Sequence, residues 1–148
     1  MATLAAQLPR TGTATYSGTF IGRHNDDSDK TLVNADARSV ANFGTGVVTF
    51  ETTNSRYGGG IPNSDLDLTS SMTFQSSGGV RQNSLRGPVS TKTGGCCGMT
   101  GEVRGNFFGP ASSTSAPPEL GGSVAVKQPS AMINGEGRSM VGGFVMKR

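Results

Sequence analysis

The chain has 148 residues, with 23 Gly, 7 Pro, 2 Cys, 1 His and no Trp, a length that suits one domain. Charged residues make up only 16% and apolar ones 33%, and the Gly that helps fill the gap argues against long helices, since each interior Gly costs about 1 kcal/mol relative to Ala. A net charge of +3 is too small to hold a chain open by self-repulsion, and no basic stripe, aromatic stacking platform or apolar run of membrane-helix length appears, which excludes nucleic-acid binding and helical membrane spanning.

Residues 1–7 are mildly apolar, but they lack a basic start and have only a short apolar core, so they do not form a complete signal peptide. On this reading the chain is either cytoplasmic or a form without its leader. Residues 1–11 read as an N-terminal extension and 12–148 as one β-barrel domain. From residue 13 onward, alternation with period 2 dominates. Ala14, Tyr16, Gly18 and Phe20 alternate with Thr13, Thr15, Ser17 and Thr19. Val33, Ala35, Ala37, Ala41 and Phe43 follow, then Val48, Phe50 and Thr52 after a Gly-Thr-Gly turn. Leu66, Leu68, Ser70, Met72 and Phe74 make the clearest run. Leu85, Gly87 and Val89 come next, and then Met99, Gly101, Val103, Gly105 and Phe107. Leu120, Gly122, Val124 and Val126 precede the closing Gly142, Phe144 and Met146.

These runs predict about eight strands, spaced as in an antiparallel meander. With no helix to cover the apolar face, closure into an eight-stranded up-and-down barrel is the economical solution. The fold class is therefore all-β, and the polar outward face makes the barrel water-soluble rather than transmembrane. Parity places the connections at residues 22–31, 54–65, 91–98 and 128–138 at one end, with both termini at the other. Loops on a rigid scaffold supply most binding surfaces, so the end away from the termini is the predicted binding end. Residues 111–118 form the one low-complexity patch and read as a loosened loop.

The stretch Gly105-Asn-Phe-Phe-Gly-Pro-Ala111, followed by Glu119-Leu-Gly-Gly122, resembles the β-barrel domain of the transferrin-binding protein B-like bacterial surface lipoproteins. In that family a strand ending Gly-x-Phe-Tyr-Gly-Pro runs through Ala and Glu into a Val/Leu-Gly-Gly strand start. The opening Tyr16-Ser-Gly-Thr-Phe20, the Asn42-Phe-Gly-Thr-Gly46 hairpin and the closing Gly142-Gly-Phe-Val-Met-Lys147 agree with it. The resemblance implies a surface-exposed or released binding module, in a group whose members engage transferrin, haem carriers or complement regulators. The chain departs from the family in lacking a lipid-anchoring Cys near its start and a second, handle-like domain, and in an expanded Ser/Thr/Pro loop before Glu119. Separately from the resemblance, Gly109-Pro110 ends a strand, the Gly pair at 121 and 122 permits close backbone approach, and Glu119 is placed to accept hydrogen bonds from loop amides.

Chemistry is sparse. Cys96 and Cys97 are adjacent in a predicted loop. They read as loop cysteines without a dedicated function, a strained vicinal bridge, a soft-metal pair lacking further ligands, or a cross-link to another chain. His24 is the one histidine, beside an Asp-rich hairpin tip that lacks the Gly and distant Glu of an EF-hand. No nucleophile elbow, phosphate loop or carboxylate pair is present, so an enzyme is not expected and no cofactor or metal is implied. Tyr57, between Arg56 and a glycine run, is the best candidate for an exposed aromatic contact. The sequence thus predicts a non-catalytic binding module of a bacterial cell-surface or secreted protein. Its protein partner, or a haem or iron carrier, would dock on His24, Asp27, Arg56, Tyr57, Lys92, Cys96, Cys97, Met132 and Ile133. In a full-length form the barrel would be tethered to the outer membrane without spanning it. Two rivals stand beside this. One is a self-assembling structural subunit of a layer, filament or particle, with residues 1–9 docking on a neighbour. The other is a lipocalin-like calyx, opposed by six Phe placed to fill the interior.

Overall fold

The structure, a computed structural model, describes residues 1–26, 29–92, 98–128 and 137–148. Eight antiparallel strands run in sequence order: β1 (Thr13–Asp26), β2 (Asp29–Asn42), β3 (Val47–Tyr57), β4 (Leu68–Ser77), β5 (Val80–Thr91), β6 (Thr100–Phe108), β7 (Glu119–Lys127) and β8 (Ser139–Lys147). Each pairs with its neighbours in the chain, and β8 returns to β1, so the sheet closes with no free edge. Two single 3-10 turns, Ala5–Gln7 and Ser64–Leu66, are the helical elements among the described residues. No helix among those residues is long and apolar enough to cross a membrane.

The alternation read from sequence sets the register. Tyr16, Phe20, Phe43, Phe50, Phe107 and Phe144 all point inward and are buried. Their rings fill the interior: Phe50 and Phe144 lie 4.6 Å apart between centroids, Tyr16 and Phe107 5.5 Å, and Phe43 and Phe107 5.6 Å. Small inward residues make this possible. A Cβ on Gly142 would come within 2.5 Å of Phe20 Cζ, and one on Gly122 within 2.6 Å of Phe144 Cζ. Glycine here provides volume for a neighbouring ring in a narrow barrel.

Two predicted connections are shorter than expected. Strands β1 and β2 stay paired as far as Asp26 and Asp29, so most of residues 22–31 is hairpin strand. Residues 54–57 likewise belong to β3. Their polar, turn-forming composition suggested loop, but pairing of β1 with β8, up to Asn25 against Ser139, and of β3 with β2, up to Tyr57 against Val33, overrides local preference.

The end that holds the termini is a sealed floor. Thr3 N donates to Phe107 O (3.0 Å), Gly109 N to Met1 O (3.1 Å) and Thr3 Oγ1 to Gly109 O (2.7 Å). Asn83 ties this seam together, donating from Nδ2 to Thr3 O and Phe107 O and accepting from Phe107 N. Leu8 is only 2% exposed, a burial worth roughly 1.5–3 kcal/mol. Residues 1–9 are thus engaged by their own barrel, whereas the self-assembly reading had them docking on a neighbour. Residues 111–118 are also held more firmly than their composition suggested. Pro117 O accepts from Tyr16 Oη, and Arg148 donates to Ala116 O and Pro118 O. Glu119, expected to receive loop amides, has Lys147 as its ion-pair partner at 3.8 Å.

Candidate binding site at the long-loop end

At the opposite end, β1, β2, β3 and β8 form a mouth. His24 was expected at a solvated hairpin tip, but it lies within β1, opposite Thr31 and Met140, and is 3% exposed. The correction follows from register: residues 14, 16, 20 and 24 share the inward face of one long strand. The imidazole lies 6.1 Å from the Tyr57 ring at a 38° tilt, and its Nε2 has no hydrogen-bond partner among the described residues. Burial lowers the His24 pKa below its ordinary 6.5; the nearby Asp26 carboxylate opposes that shift and Arg138 adds to it. Asp26 in turn pairs with Arg138 Nε at 3.2 Å.

Tyr57 ends β3 half-buried, with Oη accepting from Asn63 Nδ2 at 2.9 Å. Its backbone N donates to Ile61 O, and the chain turns through Gly60 at φ +82° to make that bond. Gly58 N donates to Leu32 O. This brings Leu32 and Ile61, 49% and 65% exposed, beside the same turn. Arg56 faces outward, 3.8 Å from Asp36. Asp36 also accepts from Asn54 Nδ2 at 2.7 Å. Asn54 has φ +56°, the one non-Gly residue with positive φ among those described, at a shift in the β2–β3 register. Asn is among the few residues that tolerate that region. The next residue, Ser55, has a buried Oγ with no partner among the described residues.

Strand β3 pairs with β4 only as far as Glu51 and Thr69. Beyond that point the seam is closed by the returning chain: Asn63 N bonds Ser55 O, Ser55 N bonds Asp67 Oδ1, and Leu68 N bonds Thr52 Oγ1. Lys92 N reaches Asp67 O at 2.7 Å, while its Nζ pairs with Glu51 at 3.3 Å. Glu51 also helps to line an open groove of about 930 Å³ on the outer wall, together with Thr49, Thr69, Ser71, Ser90 and Thr100.

Of the predicted site residues, the mouth therefore gathers His24, Arg56 and Tyr57, with Lys92 at the seam. Asp27, Cys96, Cys97, Met132 and Ile133 lie outside the described residues. Sequence reasoning passed over Asn54, Leu32 and Ile61. An Asn just before an inward Ser was the available signal for the bulge; the two exposed apolar side chains carried none. Among the described residues no group of three or more His, Cys, Asp and Glu is placed to hold a metal ion. The mouth offers an aromatic edge, aliphatic contacts and an exposed guanidinium, which is contact chemistry.

Comparison with known proteins agrees with this architecture. The family model for the C-lobe and N-lobe β-barrels of Tf-binding protein B matches residues 8–148. Among solved structures, a single-residue mutant of transferrin-binding protein B from Haemophilus parasuis Hp5, described as a vaccine antigen, superposes with a TM-score of 0.65 at 18% identity. A double mutant of that protein gives 0.67 at 16%. Intact Ap-TbpB, with its N and C lobes, gives 0.62 at 16%. Each match covers 99% of this chain but only 27–29% of the other, so the chain spans under a third of those proteins. No curated protein sequence matches it. The closed eight-stranded meander and the match over residues 8–148 place the chain in the family of β-barrel domains that build the lobes of transferrin-binding protein B.

Proposed function

We propose that this barrel is a non-catalytic protein-binding module of a bacterial cell-surface or secreted protein, and that it engages its partner through the mouth lined by Arg56, Tyr57, Leu32 and Ile61. The observation that supports the reading best is the contrast between the two ends. One end is closed by the chain's own residues 1–9 and 111–118. The other gathers a left-handed Asn54, the Tyr57 ring, the Arg56 guanidinium and the exposed Leu32 and Ile61. Backbone strain of the Asn54 kind is tolerated where function requires it.

Transferrin is the first partner to test, because the related proteins are named for binding it. Immobilised chain is titrated with transferrins, alongside Tyr57→Asp, Ile61→Asp and Arg56→Glu variants and a floor variant, Arg148→Ala. Loss of at least tenfold in affinity for the three mouth variants, with the floor variant unchanged, supports the reading. Equal affinity in all four moves the site away from the mouth. No transferrin binding at all transfers the same variant set to haem carriers and complement regulators.

A further inference from the structure

The mouth contains a feature that contact chemistry does not require. A buried imidazole stands on β1 beside β8 and faces the Tyr57 ring of β3, with a nitrogen that has no hydrogen-bond partner among the described residues. We infer that the mouth is an acid-sensitive gate, in which proton uptake by His24 loosens the packing of β1 against Tyr57 of β3 and Met140 of β8. This rests on the mouth being the working end and adds a regulation to it.

The argument is one of desolvation. A neutral imidazole can leave Nε2 as an unprotonated nitrogen facing apolar neighbours, at the modest cost of one unused acceptor. Protonation places an N–H and a positive charge in the same position with no acceptor among the described residues, and a buried charge only partly offset by Asp26 is far more expensive. The cost is relieved when the mouth opens and water reaches the ring. On its own strand, the charged group facing His24 is Asp26, which favours the imidazolium; from the turn leading into β8, Arg138 disfavours it and also engages Asp26. Thr31 from β2, Met140 from β8 and the Tyr57 ring from β3 supply no further charge. The carboxylates of Asp27, Asp29 and Glu136 are outside the described side chains. Because the closed mouth holds the His24 pKa below 6.5, it binds fewer protons than the open one, so closure is favoured above that value and weakened as pH falls through it.

The seam makes local opening plausible in structural terms. Above Glu51, β3 keeps its β2 partner as far as Tyr57 but loses β4, and on that side it is held by the turn-forming residues 61–68, whereas the floor is tied by backbone and side-chain bonds from several elements. Opening at the mouth therefore costs fewer contacts than global unfolding.

Since His24 is the one histidine in the chain, its ring resonances report on it without assignment ambiguity. Ring shifts and amide hydrogen exchange are followed from pH 8 to pH 4 on the intact chain. The expected result is titration of His24 below 6.5, together with faster exchange, corrected for intrinsic chemistry, at the amides of His24, Leu32, Tyr57 and Met140. The increase should approach about tenfold per pH unit for one coupled proton, while the amides of Gly18 and Phe107 stay protected. His24→Phe should abolish the pH dependence, and Asp26→Asn should move it to lower pH. Should His24→Phe fail to fold, the Asp26→Asn shift still decides. Uniform exchange at both ends, or an unaltered pH profile in these variants, overturns the inference. The readout needs no partner, so its failure leaves the binding reading standing, and loss of the binding reading leaves this result intact.

Discussion

Tyr16 donates a buried hydrogen bond to the carbonyl of Pro117, 101 positions away, at 2.9 Å. This single bond joins the first strand to the loop between the sixth and seventh, and it turns a Ser/Thr/Pro-rich stretch into part of the barrel floor. Tyr16→Phe leaves the ring packed and the carbonyl unpaired. The expected loss is about 1–3 kcal/mol, read as a lower urea midpoint with an unchanged slope.

The same phenol predicts alkaline behaviour. Burial pushes the Tyr16 pKa up from 10.0 to about 12, against the lowering influence of Arg148. Below pH 10 both folded and unfolded states hold the proton and stability is unaffected. Between 10 and 12 the unfolded state releases it first, so stability falls as pH rises. Absorbance titration at the phenolate band in a Tyr57→Phe background should show ionisation delayed to about 12 or coinciding with unfolding. A midpoint near 10 with the barrel intact would contradict the burial of this ring.

Gly122→Ala tests the volume argument. The new methyl would fall 2.0 Å from Arg104 O and 2.6 Å from Phe144 Cζ, and the first of these is backbone that cannot step aside. Overpacking of this kind costs about 1–3 kcal/mol or more. Thermal melts should show a clear drop, whereas Gly59→Ala, with open space around it, should move little.

Asn54 distinguishes strain from contact. Asn54→Gly keeps the left-handed backbone and loses the bond to Asp36; Asn54→Val loses both. The valine variant should therefore be less stable than the glycine one by about 1–2 kcal/mol, measured by chemical denaturation. Equal losses would mean that the Asp36 bond, rather than backbone conformation, dominates.

Leu8→Ala should cost about 2–5 kcal/mol if the N-terminal segment is part of the core. Limited proteolysis would then show cleavage within residues 1–12 in the variant and protection in the parent chain. Early cleavage in the parent would return the segment to the status of a loose extension.

The barrel was legible because apolar residues recur at period 2 along its strands: Phe20, Phe50, Phe107 and Phe144 each lie on the inward face of a different strand, and Phe43 follows β2 directly. The family resemblance was carried by the stretch around Phe107-Phe108-Gly109-Pro110, where backbone constraints restrict the choice of residue. The mouth was less legible. His24 lies in a polar run whose composition favours a turn, and it is its pairing with Thr31 and with the distant Met140 that makes it strand. The contribution of Asn54 depends on a register shift against β2, for which the Asn before inward Ser55 is the one local signal. The sealing of the floor arises from Asn83, whose three bonds reach Thr3 and Phe107; nothing in its neighbours marks it out.

Closure of β8 onto β1 also bears on synthesis. Strand β1 leaves the ribosome before the other seven and β8 after them, so the barrel cannot close until its eighth strand has been made. Until Ser139–Lys147 arrives, β1 and β7 each present an unpaired row of backbone donors and acceptors, the kind of edge that recruits other nascent chains. Such topology folds slowly, because its decisive pairing is also its most distant one. A cell producing this protein must shield a half-built sheet for the whole of that interval, and the final nine-residue strand ends the exposure.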